Sequence, residues 1–161
     1  MTTPLMICAM LIIPALLGAF LGRLRGREGG FLTGGAVGLA IAYGFFAVGH
    51  FAMTDGMIDM LPAFVPFPRE LIWATGVWEI VIAVGLLLPA SRRWAGAASI
   101  VTLVVFFPAN VYAAVNGVGL GGHQWGPEYL WVRGPLQLLL IGWSYYFAVR
   151  RRERPAAVSA S

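Results

Sequence analysis

The sequence is short of charge. Charged residues fill 11% of its 161 positions, where a soluble domain of this length carries about a quarter. Together with a hydrophobic content of 59%, that deficit points to a membrane protein. Lysine is missing altogether, so all eleven basic residues are arginine. Nucleic-acid binding would need basic residues spread over a soluble face; no such face exists, and the lipid bilayer is the expected surrounding. The single cysteine, Cys8, excludes an internal disulfide, and without a CxxC pair neither thiol-redox chemistry nor a cysteine zinc site follows. GxSxG, HExxH, phosphate-loop and dinucleotide fingerprints are also lacking. The glycine-rich run at 117–122 has no flanking strand and helix of the kind a phosphate loop requires.

What the sequence has in quantity is long apolar runs. A spanning helix needs roughly 20 predominantly apolar residues, and five stretches meet or approach that length: 4–22, 31–53, 71–90, 94–115 and 132–149. The first lacks the basic leading segment of a signal peptide, and its arginines follow the apolar core, so it reads as an uncleaved anchor. With five spans, Arg23, Arg25, Arg27, Arg92, Arg93, Arg150, Arg151, Arg152 and Arg154 all fall on one side, leaving Arg69 and Arg133 on the other. Nine against two is a positive-inside asymmetry. It predicts an outside amino terminus and a cytoplasmic carboxyl terminus in a bacterial inner membrane. The expected architecture is all-α: a helical bundle of 31–149, a preceding transmembrane helix within 1–24, and a disordered cytoplasmic tail over 150–161. Small residues at helical spacing, Gly18 with Gly22 and Gly34, Gly38 with Ala42, predict close helix contact inside the bundle.

Polar residues in or beside the spans are costly, about 2.5–3.5 kcal/mol for a central charge on insertion scales. Five stand out. His50 ends the second span, Glu79 lies nine positions into the third, Asn110 is in the fourth, and Arg133 and Gln137 open the fifth. In the predicted topology all five belong to the outer half of the membrane, which predicts one shared polar site with Glu79 at its floor and Arg69, Glu70 and His123 as rim candidates. The inner half is expected to hold no comparable cluster. Each residue also has a structural reading. Glu79 is either functional or a carboxylate held by His50 or Arg133, and its protonation is open because burial and a neighbouring guanidinium act in opposite directions. Asn110, two residues after Pro108, either serves the site or only satisfies the broken helix; Arg133, before Gly134-Pro135, marks an interface or binds an anion. His123 reads as a solvated loop residue. His50, Met53, Met57 and Met60 recur at helical spacing and thioethers bind Cu(I), but the segment is interfacial and no metal site is assigned. Haem is not expected, since His123 lies outside the spans.

The motifs GHF at 49–51, PAFVPFP at 62–68, TGVWEI at 75–80, GLLLPASRRWAG at 85–96, FPANVYAAVNG at 107–117 and RGPLQLLLIGW at 133–143 resemble, in order and spacing, the DoxX family of small bacterial membrane proteins. The resemblance implies a four-helix bundle made of spans two to five, with span one as an addition that the family usually lacks. It implies a loose association with redox processes, including quinone-linked sulfur oxidation and oxidative-stress complexes, and a likeness to the helical fold of sterol isomerases. The polar positions of the family motif fall on His50, Glu79, Asn110, Arg133 and Gln137.

Three functions are therefore expected in order. The first is a redox-associated subunit that binds a quinone-like or other small lipophilic ligand: Asn110, Arg133 and Gln137 would bond its oxygens, Glu79 and His50 would hold or move a proton, and a redox protein partner would supply electrons. The second is a membrane enzyme in which Glu79 and His50 perform isomerase-like acid–base chemistry on a lipophilic substrate. The third is an accessory scaffold without catalytic activity. The sequence names no cofactor.

Overall fold

The computed structural model describes residues 2–150, and the tail expected at 150–161 lies outside the described residues except for Arg150. The described chain is helical: α1 (Thr2–Leu24), α2 (Gly30–Ala52), α3 (Thr54–Ile58), α4 (Pro68–Leu87), α5 (Arg92–Asn116) and α6 (Leu130–Ser144). Four of these, α1, α2, α4 and α5, are long and apolar enough to cross a membrane. Large apolar side chains such as Ile13, Phe20, Val48, Val81, Val105 and Leu138 point outward on these helices and on α6. A surface that is apolar in this way is suited to lipid, and the chain is a membrane protein on that ground.

The fifth expected span has a different construction. Its α-helix, α6, has only fifteen residues, and at Tyr145 the backbone widens into a π-helical turn, Tyr145–Val149. Arg150 N–H closes that turn on Tyr145 O at 2.8 Å. The widened turn sets the Phe147 ring against Gly35 of α2, a position where no side-chain carbon would fit. Trp143 reaches the same place and donates to Gly35 O at 2.9 Å.

Helix ends follow local chemistry. Pro68 occupies the first turn of α4, where its missing N–H costs nothing, so α4 starts three residues before the apolar run does. Phe67, between two prolines, takes a left-handed conformation (φ 49°) to turn the chain into the helix. At the other end of α4, Ser91 Oγ donates to Gly85 O and Arg92 Nε donates to Leu86 O, at 3.0 and 2.9 Å. These bonds satisfy carbonyls that a helix end leaves open. The loop after α2 is not merely a proline crossing: Thr54 Oγ donates back to His50 O at 2.7 Å, and α3 then packs on the first turns of α4.

The core holds Leu11, Leu39, Tyr43, Ile82, Leu86, Leu103, Leu136 and Leu140, drawn from all five long segments. The turns after α1 and α4 and the end of the π-helical turn share one end of the bundle, as the contact of Gly96 with Ala148 and of Gly35 with Phe147 requires. Arg23, Arg25, Arg27, Arg92, Arg93 and Arg150 are at that end. The α1–α2 hairpin is sealed backbone to backbone. Gly18 faces Gly30 and Gly34, Gly34 faces Pro14 and Ala15, and Gly38 faces Met10 and Leu11. Gly44, one face round on α2, meets nothing within 4 Å. Gly34→Ala should therefore destabilise the protein by about 1–3 kcal/mol through overpacking, while Gly44→Ala should be neutral or stabilise by about 0.5–1 kcal/mol through the loss of glycine flexibility. Thermal unfolding of both variants in one detergent checks this; equal melting temperatures would contradict the glycine seam.

Candidate functional site

At the end of the bundle opposite the arginine-rich turns, the last turn of α2 meets the middle of α4. His50 and Glu79 are 7% and 4% exposed, and His50 Nδ1 lies 3.0 Å from Glu79 Oε2. The same nitrogen lies 3.0 Å from Phe46 O. A carbonyl oxygen only accepts, so Nδ1 carries the proton and Nε2 is left to a different partner. The N–H serves Phe46 O, and Glu79 Oε2, although close, receives no aligned hydrogen bond. Gly76 makes the approach possible, since a side-chain carbon there would meet His50 Cβ at 2.8 Å and the Phe51 ring at 3.0 Å. The Phe106 ring of α5 tilts against the imidazole at 6.4 Å between centroids. Trp73 Nε1 donates to Thr54 Oγ at 3.2 Å and so ties the end of α2 to α4. Because α4 starts at Pro68, Glu79 is eleven residues in, about 16 Å along the helix at 1.5 Å per residue. That is deeper than the apolar run alone suggests.

The remaining candidates divide. Gln137 Nε2 donates to Leu103 O, bridging α6 to α5, and its Oε1 is buried without a partner. Arg133, one turn earlier, is half-buried with its Nε sealed and unpartnered. Among the described residues it has no carboxylate within 4 Å, so it does not pair with Glu79, but it lies in electrostatic range of Tyr43, Tyr129 and His123. Tyr43 is in range of Glu79 as well. Asn110 turns back on its own helix, its Nδ2 donating to Phe106 O at 2.8 Å; it does not reach the carbonyl freed by Pro108. Arg69 bonds Asp55 Oδ1 at 2.6 Å on the surface and clips α3 to α4, ten positions from Glu79. Glu70 is exposed beside it.

His123 differs from its reading as a solvated loop residue. It is 5% exposed, in a 3₁₀ turn, His123–Trp125. Gly122 at φ 117° presses against Tyr129, whose ring meets the imidazole edge-on at 5.0 Å. His123 Nδ1 bonds Leu120 O, and Nε2 is buried without a partner.

Among the described residues, the buried side-chain atoms without a hydrogen-bond partner are Glu79 Oε2, His123 Nε2, Arg133 Nε and Gln137 Oε1. All four belong to the residues that the sequence singles out. Level with Glu79 and nearer the arginines, the bundle also holds small hydroxyl and ring N–H groups. Tyr43 OH donates to Ser99 O at 3.0 Å, Ser99 and Ser144 hydroxyls meet at 2.8 Å, Ser144 Oγ donates to Leu140 O at 2.8 Å, and Trp78 Nε1 donates to Thr102 Oγ at 2.9 Å. Small hydroxyls in an apolar run look like packing residues, unlike ionisable and amide side chains; their spacing beside Gly96 and Leu140 on one helix face was the available signal. The tyrosine and serine hydroxyls end on backbone carbonyls, so they form a structural ladder without a continuous proton route.

The family model of a domain of unknown function, DUF8561, matches residues 39–148. The chain belongs to that family, and the match takes in every residue of the site. No curated protein and no solved structure matches the chain.

Burial lowers the pKa of His123 below its ordinary 6.5, the Leu120 carbonyl opposes this, and the nearby Arg133 guanidinium adds to it. The closed loop thus holds the imidazole neutral, while an opened loop is free to protonate it. Above about pH 6.5 both forms are neutral and stability is complete; below it the opened form gains a proton and closure loses up to ~1.4 kcal/mol per pH unit. Hydrogen exchange of residues 119–126, corrected for intrinsic rates, should quicken between pH 7.5 and 5.5. In His123→Phe, which keeps an aromatic ring against Tyr129, that quickening should vanish; its persistence would refute the assignment.

Proposed function

We propose that this protein binds a quinone-like or other small lipophilic molecule between its helices, as a redox-associated subunit of a bacterial inner membrane. In this reading α1 and a four-helix DoxX-like bundle of α2, α4, α5 and α6 with its π-helical turn give five spans. The arginine-rich end faces the cytoplasm, and the site lies in the outer half. The observation that carries the reading is the set of four buried, unpartnered polar atoms on α4, α6 and the loop between α5 and α6. A buried polar group without a partner costs about 1–3 kcal/mol, and a ligand that completes several of them would remove that cost. Arg133 and Gln137 would bond the ligand, and the His50–Glu79 pair would hold or move a proton. Electrons would come from a partner protein. The resemblance of the motifs to the DoxX family supports the same direction.

A second reading is a membrane enzyme, and the 3.0 Å separation of His50 Nδ1 and Glu79 Oε2 favours it. A carboxylate and an imidazole within hydrogen-bond reach would remove a proton from one atom of a lipophilic substrate and return it to another.

The experiment has two parts. Tryptophan fluorescence in detergent follows binding of a decyl-substituted benzoquinone to wild type, Glu79→Gln and Arg133→Ala. Both variants should bind about tenfold more weakly, the loss of one hydrogen bond to a charged group, with melting temperatures near that of wild type. Impermeant thiol reagents, applied to cells carrying a cysteine at 120 or at 93 in a Cys8→Ser background, should reach 120 alone. Unchanged binding in folded variants, or binding by wild type of neither the benzoquinone nor its hydroquinone, would leave the scaffold reading; labelling at 93 alone would reverse the orientation.

A further inference from the structure

The hydrogen-bonding pattern of the site says which kind of ligand oxygen it suits, an inference that rests on the ligand-binding reading above. The direction of each unpartnered atom follows from the bond its residue already makes. Gln137 gives its Nε2 to Leu103 O, and a carbonyl only accepts, so the free atom is the amide oxygen, an acceptor. His123 Nδ1 faces Leu120 O and must carry the ring proton, so the free Nε2 of the neutral ring is a lone pair, again an acceptor. Burial keeps that ring neutral. Arg133 Nε is a donor in every state. Glu79 Oε2 accepts when ionised.

The unpartnered set therefore holds two acceptors of fixed character and one fixed donor, with the His123 ring packed on Tyr129, one helical turn before Arg133. A quinone offers carbonyl oxygens alone. It would serve Arg133 and leave Gln137 Oε1 and His123 Nε2 without protons. A hydroxyl does both: its oxygen accepts from Arg133 Nε–H while its proton goes to an acceptor. A second hydroxyl serves the other.

We propose that the site is selective for lipophilic molecules bearing hydroxyl donors, such as an alkylated hydroquinone, over carbonyl-only molecules of the same shape. The positions agree with this. Arg133 and Gln137 are one turn apart on α6, and Arg133 is in electrostatic range of His123. Tyr43, the neighbouring hydroxyl, is already committed to Ser99 O and does not supply the missing protons.

The test compares a decyl-substituted hydroquinone with its benzoquinone, binding each to the full chain in detergent under anaerobic conditions at pH 7.5. Wild type should bind the hydroquinone at least about tenfold more tightly, the effect of one well-made hydrogen bond. Gln137→Met and His123→Phe should each bring the ratio of hydroquinone to benzoquinone affinity most of the way to one. Gln137 also bridges two helices, so His123→Phe carries the test if Gln137→Met does not fold. Equal affinity for the two forms, or tighter benzoquinone binding, would overturn the selectivity while leaving ligand binding intact. Failure of wild type to bind either form would overturn both.

Discussion

A hydrogen-bonding atom buried away from water has to find its partner inside the protein, and in a bundle with an apolar exterior there is little else to offer one. This constraint sorts the polar residues of the chain into two populations. Tyr43, Ser99, Ser144, Thr102 and Trp78 are matched, each to a carbonyl or a hydroxyl on its own or a neighbouring helix. They pin α2, α4, α5 and α6 to one another. Glu79, His123, Arg133 and Gln137 each retain an atom without a match. The matched set makes a rigid base, and the unmatched set is what that base positions.

The glycine contacts serve the same end. Where α1 and α2 touch through Gly18, Gly34 and Gly38, the backbones meet with no intervening side chains, and dispersion forces act over the whole seam. Gly76 repeats the device once on α4, and there it admits a histidine and a phenylalanine instead of a backbone. The same residue type gives a closed seam at one place and room for side chains at the other.

Much of this was legible in the sequence, for reasons that differ by residue. The runs that become α1, α2, α4 and α5 were readable because apolar length is a sufficient signal for a spanning helix. The last segment was readable as apolar but not as a helix that changes type, because the π-helical turn depends on Phe147 finding Gly35 more than a hundred residues away. α3 was hidden in a proline-rich loop, and it forms because Thr54 caps the preceding carbonyls and α4 offers a surface. Polarity within an apolar run was enough to nominate His50 and Glu79, and the structure brings them together. It was not enough to say that Asn110 would fold back on Phe106, that Arg69 would be taken by Asp55, or that His123 would be buried under Tyr129. Those outcomes depend on side-chain direction and on loop closure, which spacing along the chain does not encode.

The proposed small-molecule ligand would complete the unmatched atoms of α4, α6 and the loop that precedes α6. Native mass spectrometry of gently extracted protein tests for it most directly, because the ligand need not be identified in advance. The expected result is a bound species of small-molecule mass that survives extraction with wild type, is recovered in the organic extract, and is lost from folded Arg133→Ala. Wild-type protein that flies only as the bare chain or with bulk phospholipid, identically to the variant, would contradict it.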